Sequence, residues 1–309
     1  MTLWLAERTV PSPPPLPDLS PRLPALPALA PYRAAVAELV AEISECPETD
    51  TECAEHILGR RLDDDDIAAV LEATPDGWDG TTAKLLFEIR NFEPSTGNST
   101  GTLAALVRIA MLAQIDAVWW GRAPTYQQDS DVRSSAELID LDQLDRAGRL
   151  RFSYRHQAAT LLTRAARSAE RRALPGRSPR TAGLALAKAR PQTVAWLNQL
   201  ADEFAQVAPA GTPPLWVTSL ARSVSHQRHL KALGYVALLP SSHCVGYAAD
   251  IEMRWYRKFH AHRLLRGLLL DRQRAGEVNV VDEGQAWHVC LSPDIVADPG
   301  RVPRPRQGG

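Results

Sequence analysis

The stretch Ser241-Ser242-His243-Cys244-Val245-Gly246-Tyr247-Ala248-Ala249-Asp250 holds an imidazole and a carboxylate seven positions apart, with Gly246 between them. Trp287-His288 supplies a second imidazole downstream. Two His and one Asp make three protein ligands, which leave a fourth position open on a tetrahedral zinc. Catalytic zinc sites have that arrangement, whereas structural sites are closed by four ligands, usually with several Cys. His243, Asp250 and His288 are therefore the candidate ligands of a Zn2+ ion.

The fixed positions Ser241, His243, Gly246, Ala248 and Asp250 spell S-x-H-x-x-G-x-A-x-D. This resembles the signature of the zinc D-alanyl-D-alanine carboxypeptidases and VanY-like peptidases. The likeness covers about residues 213–293. It implies a small Hedgehog/DD-peptidase-like α+β domain with an antiparallel sheet. It also implies a metallopeptidase that hydrolyses a peptide bond in a peptidoglycan-like cell-wall substrate, as carboxypeptidase or murein endopeptidase. The family's second ligand motif, E-x-W-H, is matched at its end by Trp287-His288. An Arg and a Gln are implied upstream, and Thr218 to Gln227 offers Arg222 and Gln227. With Ser241, these are the substrate-binding candidates. The permanent charge of Arg222 suits a substrate carboxylate or a developing oxyanion.

One position departs from that family. Its general-base Glu stands three residues before the last His, where this chain has Gln285. An amide cannot take a proton in general-base work. Glu283 and Asp282 lie just upstream and are the candidate bases. Glu283 has the strand parity of position 285, and Gly284 permits a bulge that re-aims it. Two other readings stay open. One is a metal-binding module that has lost its base and recognises a wall peptide or a protein partner. The other is a helical interaction protein whose N-terminal half carries the function.

Around this segment, Leu215 to Leu220 reads as a strand, with Ser223 capping a helix that runs to Leu233. Tyr247 to Met253 reads as a strand, Arg254 to Arg274 as one helix. Glu277 to Val281 and Gln285 to Leu291 read as a hairpin with its turn at 282–284. In the last strand His288 and Cys290 face one way, Trp287 and Val289 the other.

The remainder reads as helical. Residues 1–31 are dense in Pro and form an extended or disordered segment. Residues 32–208 form a helical domain of unassigned role, and residues 294–309 a flexible tail. Helical spacing marks Tyr32 to Glu45, Thr51 to Leu62, Thr81 to Phe92, Ala136 to Ala147, Tyr154 to Leu174 and Pro191 to Val207. Asp63 to Asp66 reads as helix capping. The apolar run from Leu103 to Trp120 is broken by Arg108, Gln114 and Asp116, which suits a buried helix better than a membrane span. Residues 121–135 read as loop. Arg164, Arg167, Arg171, Arg172, Arg177, Arg180, Lys188 and Arg190 read as a solvated face, since no aromatics interleave them.

The 309 residues carry a formal net charge of −1, so charge gives no argument for nucleic acid or membrane surfaces. The N-terminus has no basic region followed by an apolar run and does not read as a signal peptide. That expectation conflicts with a wall substrate. Cys46, Cys53, Cys244 and Cys290 read as small buried apolar residues, although Cys46 and Cys53 are close enough to pair.

Overall fold

The computed structural model describes residues 27–94, 101–158, 161–173, 176, 178–235 and 237–298. Four helices come first: α1 (Leu29–Ile43), α2 (Thr51–Arg61), α3 (Asp65–Ala73) and α4 (Gly77–Arg90). They pack on one another, and α1, α3 and α4 pack on α5 (Leu103–Trp120). Asp50 caps α2 by accepting from the Cys53 amide, and Thr102 caps α5 by accepting from Ala105. Asp65 and Asp66 lie in the first turn of α3, but Asp64 at its cap makes no side-chain hydrogen bond there. The acidic run therefore acts by charge against the helix dipole and not by capping the amides.

The middle of the chain contains α6 (Asp129–Ser134), β1 (Ile139–Asp140), α7 (Leu141–Arg146), α8 (Leu161–Ala173), β2 (Lys188–Ala189) and α9 (Pro191–Val207). β1 and β2 form an antiparallel pair. The 121–135 segment is thus partly helical. The expected helix from Tyr154 begins only at Leu161. Its first residues are drawn into extended pairing instead, with the Gln157 amide donating to Leu184 O and the Leu184 amide to Arg155 O. Arg190 is not solvated: its guanidinium lies over the Tyr247 ring and ion-pairs with Glu137. Arg177 lies outside the described residues.

The last third supplies β3 (Val217–Ser219), α10 (Val224–Ala232), β4 (Ala248–Glu252), α11 (His262–Arg274), β5 (Val278–Asp282), β6 (Ala286–Leu291) and α12 (Pro293–Ala297). The four strands form an antiparallel sheet in the order β3-β4-β6-β5. The architecture is α+β. The single helix expected from Arg254 is divided: Trp255–Phe259 is a 3₁₀ turn, and His260 takes a left-handed φ of 56° before α11 starts. Ile295 and Val296 are buried on α12, so this part of the expected tail is packed.

One continuous cluster of buried apolar side chains runs from Tyr32 to Val296. α5 packs on β5, and α9 packs on α11. The Trp120 indole N–H donates to Leu291 O at 2.8 Å, and its ring stacks on Tyr247. Although α5 is long and apolar enough to cross a membrane by those criteria, most of it is buried inside the protein. Cys46 and Cys53 form a disulfide joining the end of α1 to α2, while Cys244 and Cys290 are free and buried. The reading of all four as unpaired apolar residues therefore fails for the first two.

Leu39 of α1 is fully buried, whereas Phe87 of α4 is 59% exposed. Leu39→Ala is expected to cost about 2–5 kcal/mol in urea unfolding, through lost burial and the cavity left behind. Phe87→Ala is expected to change stability by about 0.5 kcal/mol or less.

Candidate metal centre

The 3₁₀ turn Ser242–Cys244 lies just before β4. Its backbone is closed by hydrogen bonds that the Cys244 amide donates to Ser241 O and the Gly246 amide to Ser242 O. Gly246 has φ of 89°, in the left-handed region that favours glycine. An added Cβ there would also sit 3.2 Å from Arg190 Cγ. This turn carries the chain into β4 and brings His243 back over Asp250. In the sheet Asp250 and His288 are direct cross-strand partners of β4 and β6. Such partners share a face and lie about 5 Å apart at Cβ.

The three side chains converge. His243 Nε2 lies 3.0 Å from Asp250 Oδ1 and 3.1 Å from His288 Nδ1, and His288 Nδ1 lies 3.1 Å from Asp250 Oδ1. All three residues are buried. They offer one ligand atom each within 4.8 Å of one another, and among the described residues no other such group is found.

Their outer atoms fix the ring orientations. His243 Nδ1 lies 2.8 Å from Leu220 O, so it must carry a proton and leaves the Nε2 lone pair bare. His288 Nε2 lies 2.8 Å from Asp116 Oδ2 on α5. Asp116 also accepts from Ser242 Oγ at 2.7 Å and from Asn279 Nδ2 at 2.9 Å. The Asp250 Oδ2 atom receives Arg222 Nη2 at 2.5 Å. Arg222 further donates to Ser219 Oγ and Gln227 Oε1.

This environment sets the charges. Burial, followed by the charge of Arg222, pulls the His243 pKa down to about 4. Burial also opposes the charged form of His288. The Asp116 and Asp250 carboxylates outweigh it and hold that pKa well above the ordinary value. Burial works against ionised Asp250 as well, but His243 and Arg222 hold it well below the carboxylate range. In the metal-free chain the two carboxylates therefore favour a proton on His288, whose Nδ1 faces His243 Nε2 and Asp250 Oδ1. A divalent cation fits the same donor set once that proton leaves. The buried His243-Asp250-His288 group can thus hold a metal ion.

The hairpin places Glu283. Asp282 Oδ1 accepts the Gly284 amide at 2.8 Å, and Glu283 N donates to Ala286 O at 3.2 Å. Gly284 has φ of 87°, so Gly284-Gln285 forms a two-residue hairpin loop with Gly first. The turn sits one residue later than expected, because β5 extends through Asp282. By the pairing of Val281 with His288, Glu283 falls on the face that carries His288 and Asp250. Its side chain lines the recess formed by His243, Asp250, His288, Arg222 and Asp116. It also lines an adjoining cleft of about 350 Å³ bordered by Arg222, Arg180 and Gln285. Burial and then the Asp250 charge raise its pKa to about 7.

Not every sequence candidate joins the site. Asp282 shapes the turn and lines neither cavity, and its carbonyl accepts from Arg108. Gln285 is exposed in the turn, with its carbonyl bound by the Met253 and Arg254 amides. Ser241 and Gln227 line the recess, and Gln227 also donates to Leu238 O. Cys290 is buried near Asp116, and burial raises its thiol pKa well above normal. Sequence reasoning missed Asp116, Ser242 and Asn279. The one available signal was a carboxylate inside an otherwise apolar helix.

No family model, no curated protein and no solved structure matches this chain.

Two outcomes follow from these charges. A divalent cation at this point would displace the His288 proton, so its apparent affinity is expected to fall about tenfold per pH unit below that group's pKa. Titration calorimetry with a divalent metal ion, in buffers of different ionisation enthalpy, should register release of more than one proton per ion bound, one from His288 and the rest from Glu283. For Glu283, the folded pKa of about 7 exceeds the unfolded value near 4.5. The folded chain binds that proton more tightly, so metal-free stability falls as pH rises between those values. Glu283→Gln cannot ionise. It is expected to be more stable than wild type at pH 8 and similar to it at pH 4 in metal-free urea melts.

Proposed function

We propose that this chain is a zinc-dependent peptidase acting on peptidoglycan-like peptides that contain D-amino acids. Its last third would then be a Hedgehog/DD-peptidase-like domain. The observation that carries the reading is the convergence of His243 Nε2, Asp250 Oδ1 and His288 Nδ1, with mutual distances of 3.0–3.1 Å, beside a cleft. A three-ligand set of this kind leaves room for water and substrate. The resemblance of Ser241 to Asp250 to the D-alanyl-D-alanine carboxypeptidases supplies the substrate class.

Zinc held by these residues supplies Lewis acidity, which brings the pKa of water toward about 7 and polarises a carbonyl. Glu283 is the base in this reading. Its carboxylate takes the water's proton and passes it to the leaving amine. The charge balance supports that role. In the metal-free site Asp116 and Asp250 face Arg222 and protonated His288, and Glu283 holds its proton. A divalent charge in place of the His288 proton adds one positive charge, which an ionised Glu283 neutralises. Arg222 is already anchored by Ser219, Gln227 and Asp250. Three of its five N–H groups make these bonds, and the other two suit a substrate carboxylate or an oxyanion. The Cys46–Cys53 disulfide supports work in an oxidising compartment, where wall substrates lie.

Gln285 favours a second reading, a metal-binding module without turnover, because it stands where the resembling family has its base. One assay separates them. Purified chain is incubated with a peptide ending in D-Ala-D-Ala, with chelator and after zinc is restored. Turnover is expected, lost with chelator and regained with zinc. Glu283→Gln is expected to lower kcat about 10²–10⁴-fold and to abolish the acid limb of the pH profile. Asp282→Asn is expected to stay within a few-fold of wild type. Zinc bound without turnover would favour the module, and wild-type chain that binds no zinc would remove both readings.

A further inference from the structure

We infer that Asp116, carried by α5 of the N-terminal half, is the positioning residue of the metal centre. It dictates that His288 binds metal through Nδ1, whereas the Leu220 carbonyl leaves His243 to bind through Nε2. The inference rests on the metal-site reading above and gives the helical half a role in it.

The argument begins from what Asp116 accepts. Its Oδ2 atom takes Ser242 Oγ at 2.7 Å and faces His288 Nε2 at 2.8 Å, and its Oδ1 atom takes Asn279 Nδ2 at 2.9 Å. Asn279 is itself fixed from the same half, donating to Leu112 O at 2.9 Å and accepting from Arg33 of α1 at 3.2 Å. Both oxygens of Asp116 are thus committed to acceptor work in a buried site. A carboxylate that accepts from Nε2–H holds the proton there and leaves Nδ1 for the metal. His243 receives the opposite instruction from a backbone carbonyl, since Leu220 O holds its proton on Nδ1. The two rings therefore present different nitrogens to one point, 3.1 Å apart.

The last third contributes none of this carboxylate. Asp116 is 172 positions before His288 and reaches it only because α5 packs along β5. An amide at position 116 presents one oxygen and one N–H₂ to three donors, so one donor meets another donor. That defeats the orientation while leaving the volume of the side chain nearly unchanged.

The test uses full-length protein and zinc competition against a chromophoric chelator. Asp116→Asn is expected to lower zinc affinity about 10- to 100-fold. Ile115→Val, on the same buried turn of α5, is the packing control and is expected to stay within about twofold. Cobalt-loaded Asp116→Asn is expected to show altered d–d bands relative to cobalt-loaded wild type. Asp116→Asn affinity within twofold of wild type, or an equal loss in Ile115→Val, would overturn the assignment. Nitrogen-15 histidine NMR of zinc-loaded wild type needs no variant: His288 is expected to carry its proton on Nε2, and a proton on Nδ1 would overturn it. Failure of wild type to bind zinc would instead strike the metal-site reading on which this rests.

Discussion

Three lone-pair donors held about 3 Å apart in a buried site cannot stand without positive charge between them. In the metal-free chain the Asp116 and Asp250 carboxylates favour that charge as a proton on His288. Asp116 receives the outer nitrogen of the ring, Asp250 faces the inner one, and Arg222 offsets the second carboxylate oxygen. The same surroundings act on the neighbouring groups. Burial and then the Arg222 charge disfavour a proton on His243, and burial with the Asp250 carboxylate raises the Glu283 pKa to about 7.

That electrostatic requirement constrains the packing. The carboxylate that supports His288 comes from a helix that is mostly buried apolar core. α5 must therefore lie along the sheet within hydrogen-bond reach, and the contacts of Trp120 with Leu291 and Tyr247 hold one end of it there. The sheet in turn sets the spacing of Asp250 and His288 through register alone. A one-residue slip would send one of them to the opposite face. Burying charge in this manner is costly unless every partner is present. The network runs from Arg33 through Asn279 and Asp116 to His288 and Ser242, although Arg33 Nε is buried without a partner.

The hairpin shows how a small backbone feature redistributes chemistry. A two-residue loop at Gly284-Gln285 removes Gln285 from the strand and closes the pair Glu283–Ala286 instead. The residue in the resembling family's base position thereby points into a turn, while the acid two places earlier shares a face with the ligands. Parity along a strand gave Glu283 as the candidate. The physical route differs, since it is the tight turn and not a bulge that aims it.

The amino-acid sequence by itself singled out His243, Asp250 and His288, whose residue types can serve a metal ion and which the fold brings within 3.1 Å of one another. It also determined most helices, from Leu103–Trp120 to Pro191–Val207, since apolar periodicity and capping are local properties. It did not determine the support of the site. Asp116 looked like an interruption in an apolar helix, Asn279 like an ordinary strand residue, and Cys46 like a buried thiol. Only tertiary structure decided those roles, because each depends on a partner brought near by packing. A hydrogen bond across 172 residues leaves no periodic trace in the chain.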